Sequence, residues 1–174
     1  ADLGLHDPLA ESFPANLQGR LLFWIAVAFS LYQIAISAHL IGLNSQVQRA
    51  IHLGFLLLLG FPLLALLRHY SKPAQLIAWG MGLLGVVIAA YQWVEYVPLM
   101  MRAGDINGVD TVIGILTIIA VFAAAWVVMG PALPVVAGIF LIYALFGEYF
   151  PGPMQTRGYS LEQVVEQMSF GTEG

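Results

Sequence analysis

Cysteine is absent from the 174 residues, and charge is scarce. Without cysteine there is no disulfide framework, no thiolate metal site and no cysteine nucleophile. Lys and Arg number 6 and Asp and Glu 10, or 9% charged, where a soluble domain carries about 25%. So few charges cannot cover the outside of a soluble protein of this size. The net charge of −4 and the scattered basic residues leave no electropositive patch for nucleic acid, so no nucleic-acid partner is expected. Disorder is excluded by the apolar content, which reaches 60%. What remains is a membrane protein. The acidic N-terminus ADLGLHDPLAESFPANLQGR has no basic n-region followed by a short apolar core, so no cleavable signal peptide is expected.

What is abundant is long uncharged runs. A helix crossing a hydrocarbon core of roughly 30 Å needs about 20 apolar residues. Leu21–Ile41, Ala50–Leu67 and Leu76–Val94 each meet that length without a charge. Thr111 to Gly147 is a further uncharged stretch long enough for two crossings, divided by Gly130-Pro131 and Pro134. Proline is unfavourable inside a helix and suited to its first turn. The expected spans are therefore Thr111–Met129 and a short fifth, Pro131–Gly147, for which a kinked or re-entrant segment fits the same letters. Barrel strands of about 10 residues with alternating polarity do not match these runs. The fold class is all-α integral membrane, with five transmembrane helices and a short amphipathic C-terminal helix.

Asp110 is the expected N-cap of span four. Ser160 with Gln163 makes a capping-box signature. After it, Leu161, Val164, Val165 and Met168 fall on one face and Glu162 and Glu166 on the other. This helix is too short to cross, so it lies on the surface or against another helix. Its apolar face has no assigned partner within the chain, and a companion is expected to dock on spans four and five and cover it. Short-loop basic residues are tied: Arg20, Arg68 and Lys72 lie with the N-terminus, and Arg49, Arg102 and Arg157 lie opposite. Trp24, Trp79 and Trp126 mark one interface, and Tyr91, Trp93 and Tyr96 the other.

Several motifs have a functional reading and a plainer one. Gly80-Met81-Gly82-Leu83-Leu84-Gly85 matches the dinucleotide fingerprint G-x-G-x-x-G, which needs a strand before it. Here the glycines sit inside an apolar helix. Ala78, Gly82, Gly85 and Ala89 line one face, which suits close helix packing. On span one, Ser30, Gln33 and Ser37 continue a stripe from Ala26. Gln33 near mid-span should face protein, through an interhelical hydrogen bond or along a substrate path. His39 and His52 are the one possible pair of haem ligands, which would make the chain a haem- or quinone-associated anchor subunit of a respiratory-type enzyme. Asp105, Asn107 and Asp110 suggest a calcium loop, but its frame and closing Glu are missing, and a turn with a helix cap accounts for them. Glu95 either relays protons or binds a cation, or it snorkels or pairs with an Arg such as Arg102. No catalytic arrangement, metal site or resident cofactor is expected, and the chain does not read as an enzyme.

The C-terminal letters are the most specific. Gly130-Pro131-Ala132-Leu133-Pro134 is followed by YALFGEYFPGPMQTRGYSLEQVVEQMSFGTEG over 143–174. Within it stand the Phe146-Gly147, Pro151-Gly152 spacing, the Arg157-Gly158-Tyr159-Ser160 step and the closing Ser169-Phe170-Gly171-Thr172-Glu173-Gly174. This stretch resembles the fused membrane subunit of tripartite ATP-independent periplasmic (TRAP) transporters, in particular the four-plus-twelve-helix TAXI-type permeases. The resemblance implies a bacterial inner-membrane secondary transporter, in which a sodium gradient drives uptake of an organic acid or similar solute from a soluble periplasmic binding protein. Residues 1–129 would be a four-helix scaffold domain like the small subunit, and 130–174 the start of the large transport subunit. The rest of that subunit, the binding protein and the bilayer are the implied partners. Sodium and substrate sites lie mostly in the helices that would follow residue 174, so no transport-site residue is carried over. The resemblance also favours a cytoplasmic N-terminus, which after five crossings puts Arg157 outside.

Overall fold

Uncharged runs of this length can satisfy their backbone in a bilayer only by coiling on themselves, and they do. The computed structural model describes residues 13–14 and 16–171; residues 1–12 and 15 of the acidic N-terminal stretch and Thr172–Gly174 of the closing motif lie outside the described residues. The elements are α1 (Leu17–Ser37), α2 (Ser45–Leu67), α3 (Lys72–Val94), the short α4 (Tyr96–Met101), α5 (Gly108–Met129), α6 (Ala132–Phe146) and α7 (Leu161–Ser169). Two single 3-10 turns, Gly147–Tyr149 and Gly152–Met154, join α6 to α7. Five segments are long and apolar enough to cross a membrane, the fifth only when α6 is counted through to Tyr149. No strand occurs among the described residues.

The helix ends correct several expected boundaries. α1 starts at Leu17, capped by the Asn16 side chain accepting from Gly19 N at 2.8 Å, and stops at Ser37 rather than Ile41. His39 stops it: its φ is 56°, and the amides of His39 and Leu40 bond back to Ile36 and Ala35. Those two bonds define a Schellman stop, with histidine at the left-handed position usually held by glycine. His69 (φ 51°) ends α2 in the same way, through His69 N to Leu66 O and Tyr70 N to Ala65 O. α2 starts at Ser45 and takes Arg49 into its first turns. A charge marks where hydrocarbon ends, not where a helix must. Asp110 is not the N-cap of α5. Asn107 holds that position, and Asp110 reaches back from the third residue to complete a capping box.

The helices alternate in direction. Trp79 near the start of α3 donates to Gln18 at the start of α1 (3.2 Å), and Arg68 at the end of α2 donates to Val127 O at the end of α5 (3.2 Å). These ends form one face of the bundle. The opposite face gathers the end of α3, all of α4, the start of α5 and α7. The tightest seam joins α2 to α3. Gly54 lies against Gly85 and Ala89, and a Cβ on Gly82 or Gly85 would stand 3.0 Å from Leu58 Cα or 2.7 Å from Leu57 Cβ. Small residues let the backbones meet there. Pro62 is buried within α2 and removes the N–H that would pair with the Leu58 carbonyl, a break that membrane helices accommodate through their neighbours. Leu57, Ile88 and Ala120 form the small core where α2, α3 and α5 meet.

α7 packs part of its apolar face within the chain: Val164, Val165 and Phe170 are buried, with Val165 and Phe170 seated over Gly114 of α5, while Leu161 and Met168 of the same face stay exposed. Gly114 lacks the side chain that would hold the helix off. Ser169 Oγ donates to Gly114 O (2.9 Å) and fixes the same contact.

Candidate functional site

Polar side chains are rare enough that their meeting places can be followed one by one. The densest is where α3, α4 and α5 converge. Asp110 is fully buried and accepts from the Tyr91 hydroxyl, from Arg102 Nε and Nη2 (3.1 Å each) and from Asn107 N (3.1 Å). Arg102 Nη2 also lies 3.5 Å from Glu95 Oε2. The expected Glu95–Arg102 pair is therefore present, but as the outer arm of a larger group. A carboxylate at a helix N-terminus with a two-pronged guanidinium partner is a strong anion environment. The Asp110 hydrogen bonds push the Arg102 pKa above its ordinary value, so the cation persists at any physiological pH.

The group extends to α7. Gln92 donates to Ser169 O (3.2 Å), and Gly104 N donates to Glu166 Oε1 (2.6 Å). Together these bonds tie α3, the 102–107 turn, α5 and α7 into one polar junction at one end of the bundle. Asp105 of the suggested calcium loop is exposed, its amide bonded to Arg102 O (2.9 Å) within that turn. Among the described residues, no three His, Cys, Asp or Glu side chains come within metal-binding reach of one another.

The other expected residues separate. Ala78, Gly82, Gly85 and Ala89 are buried, and the last three lie along α2. Gly80 has open space beside it. Gln33 Nε2 meets His52 Nδ1 across α1 and α2, beside Phe29, which stacks on Phe55 with ring centroids 5.0 Å apart. Ser30 and Ser37, expected on the packed face with Gln33, are exposed. α1 touches α2 through its aromatic residues, and the serines lie to the side of that contact. His39 is a helix stop, not a side chain projecting from a helix opposite His52.

The segment carrying the family-like letters is a compact return. Thr156 N and Tyr159 N bond to the carbonyls of Gly147 (3.0 Å) and Ala144 (3.1 Å), and the Tyr143 hydroxyl donates to Met154 O (2.7 Å). Gly147 packs on Thr156, Gly158 lies against Glu148, and Gly152 sits at φ 63°. Each glycine is needed for a close approach or a left-handed turn. Sequence reasoning missed the Asp110–Tyr91 and Gln92–Ser169 links, which join residues 19 and 77 positions apart. No local spacing in the letters points to either link.

Fold and junction define a multi-pass helical membrane protein whose polar groups bind its own helices together. No protein-family model, curated protein or solved structure matches the chain.

Proposed function

We propose that this chain is the membrane scaffold and anchor portion of a sodium-gradient-driven secondary transporter of the TRAP type, in a bacterial inner membrane. In this reading a soluble periplasmic protein delivers an organic acid or similar solute, and a large transport subunit carries the sodium and substrate sites. The reading is non-enzymatic and needs no resident cofactor. One observation carries it: the letters that resemble the TRAP permeases, from Phe146 to Ser160, form one hydrogen-bonded return from α6 to α7, so the resemblance rests on a structural unit. The engagement of polar side chains in helix-to-helix ties fits a scaffold better than a transport path, whose ligands must stay available to solute and ion.

The haem- or quinone-anchor alternative had His39 and His52 behind it. His52 engages Gln33, and His39 serves as a helix stop. A reduced-minus-oxidised absorbance spectrum of the purified protein tests that alternative, with a haem band as its positive result. The transporter reading is tested by reconstitution in liposomes under an inward sodium gradient. The 174-residue chain alone is expected to give no uptake, and uptake is expected when a large subunit and its binding protein are added. Gradient-driven uptake by the short chain alone would overturn the scaffold assignment.

A further inference from the structure

α3 runs for 23 residues, about 34 Å at 1.5 Å per residue, which already exceeds a hydrocarbon core of roughly 30 Å. The chain nevertheless stays apolar after it. α4 has six residues, YVPLMM, and no charge, and it belongs to none of the five crossings.

α4 does not carry α3 onward into water. Pro98 has no N–H to offer the Val94 carbonyl, and the helix is interrupted at Glu95. Glu95 and Arg102, which flank α4, meet at 3.5 Å. Arg102 and Tyr91 both bond to Asp110 in the first turn of α5. The chain thus returns through Arg102 to the carboxylate that α3 already reaches, and α4 lies across the end of the bundle. Its depth follows from Leu99, which is 5% exposed and shares a cleft with Ala137, Phe140 and Ala144 of α6. Those three stand two to nine positions before Phe146, the last residue of α6, or about 3–13 Å inside that helix end. α4 is therefore level with the last turns of a crossing.

The outward face of α4 is apolar. Val97, Met100 and Met101 are exposed, Met101 at 82%, and so are Trp93 and Val94, which adjoin them at the end of α3. Both flanking charges are engaged, Glu95 by Arg102 and Arg102 by Asp110, so α4 can sit at the membrane boundary without bringing an unpaired ion there. We infer that α4 is an in-plane anchor, which inserts Val97, Met100 and Met101 at the boundary between headgroups and acyl chains of one leaflet. The bilayer is the occupant because this face continues the lipid-facing end of α3 and lies at the depth of the α6 crossing. Trp93 at its edge is a residue type enriched at that boundary, and the flexible methionines suit irregular acyl packing. The inference is independent of the transporter reading, since it needs only that these helices cross.

Spin labels on single cysteines, in the full chain reconstituted in phosphatidylethanolamine–phosphatidylglycerol liposomes, give the test. Power-saturation EPR compares collision with oxygen, which concentrates among acyl chains, and with a nickel chelate confined to water. Val97→Cys and Met101→Cys should be oxygen-rich and nickel-poor, as should Val87→Cys, an exposed position within α3. Asp105→Cys, in the turn that follows α4, should show the reverse. Circular dichroism confirms that each labelled chain keeps its helicity. Nickel access at 101 equal to that at 105 would place α4 in water and overturn the inference. Low collision with both reagents at 97 and 101 would overturn it too, because a protein partner would then cover the face.

Discussion

A single carboxylate, Asp110, receives four hydrogen bonds: one from Tyr91, two from Arg102 and one from the Asn107 amide. Asp110→Ala leaves the buried end of Tyr91 without its acceptor and opens the capping box. The expected loss is about 1–3 kcal/mol, the cost of stranding a buried polar group, read as a lower thermal midpoint in detergent. Asp110→Asn keeps an acceptor for Tyr91 and should lose less. If both variants melt like the parent, the junction does not contribute to stability. At this scale the sequence was partly legible. The Glu95–Arg102 pair was within reach because its partners stand seven positions apart, at the two ends of the short α4. Tyr91 and Asp110 meet only because α3 and α5 are antiparallel neighbours, which no local pattern encodes. The histidines were harder still: His39 and His69 are explained by backbone φ, a property that letters other than glycine rarely announce.

The α2–α3 seam shows what periodicity can and cannot supply. Spacings of 4, 3 and 4 from Ala78 to Ala89 mark a face flat enough for a neighbour, and that face was readable. Which helix fills it was not, because the matching face of α2 sets Gly54 beside Leu57 and Leu58 instead of an unbroken run of small residues. The same blindness hid the docking of α7 on Gly114: amphipathicity tells that a face must be covered and is silent on what covers it. Gly82→Leu should force α2 and α3 apart at Leu58, whose backbone cannot yield as a side-chain tip would. Overpacking of this kind costs about 1–3 kcal/mol. Gly80→Leu, two residues away and beside open space, is the matched control and should melt within a degree or two of the parent. Equal melting of the two variants would mean that the seam is not the contact that holds these helices.

For the whole molecule, the span count was legible because hydrocarbon imposes one length on every crossing, while the direction of insertion was not, because the basic residues are tied at three on each side. The structure supplies the relative arrangement that the charges do not. Gln18 and Trp79 share one end of the bundle, as do Arg68 and Val127, while Gly104 and Glu166 meet at the other. The chain has no native cysteine, so single substitutions report cleanly. Ser71→Cys, Asp105→Cys and Arg157→Cys each fall at exposed positions between helices. A membrane-impermeant maleimide should label positions 105 and 157 from one side of the membrane and position 71 from the other. With a cytoplasmic N-terminus, as the transporter reading has it, intact cells label 105 and 157 and spare 71 until the membrane is opened. Labelling of 71 alone in intact cells would invert the insertion and leave the fold untouched. Labelling of 105 without 157 would be the more serious result. It would mean that α6, with only fifteen residues before its 3-10 turn, enters the bilayer without crossing it, and the chain would then have four crossings with α7 on the wrong side to meet Gly104 and Gly114.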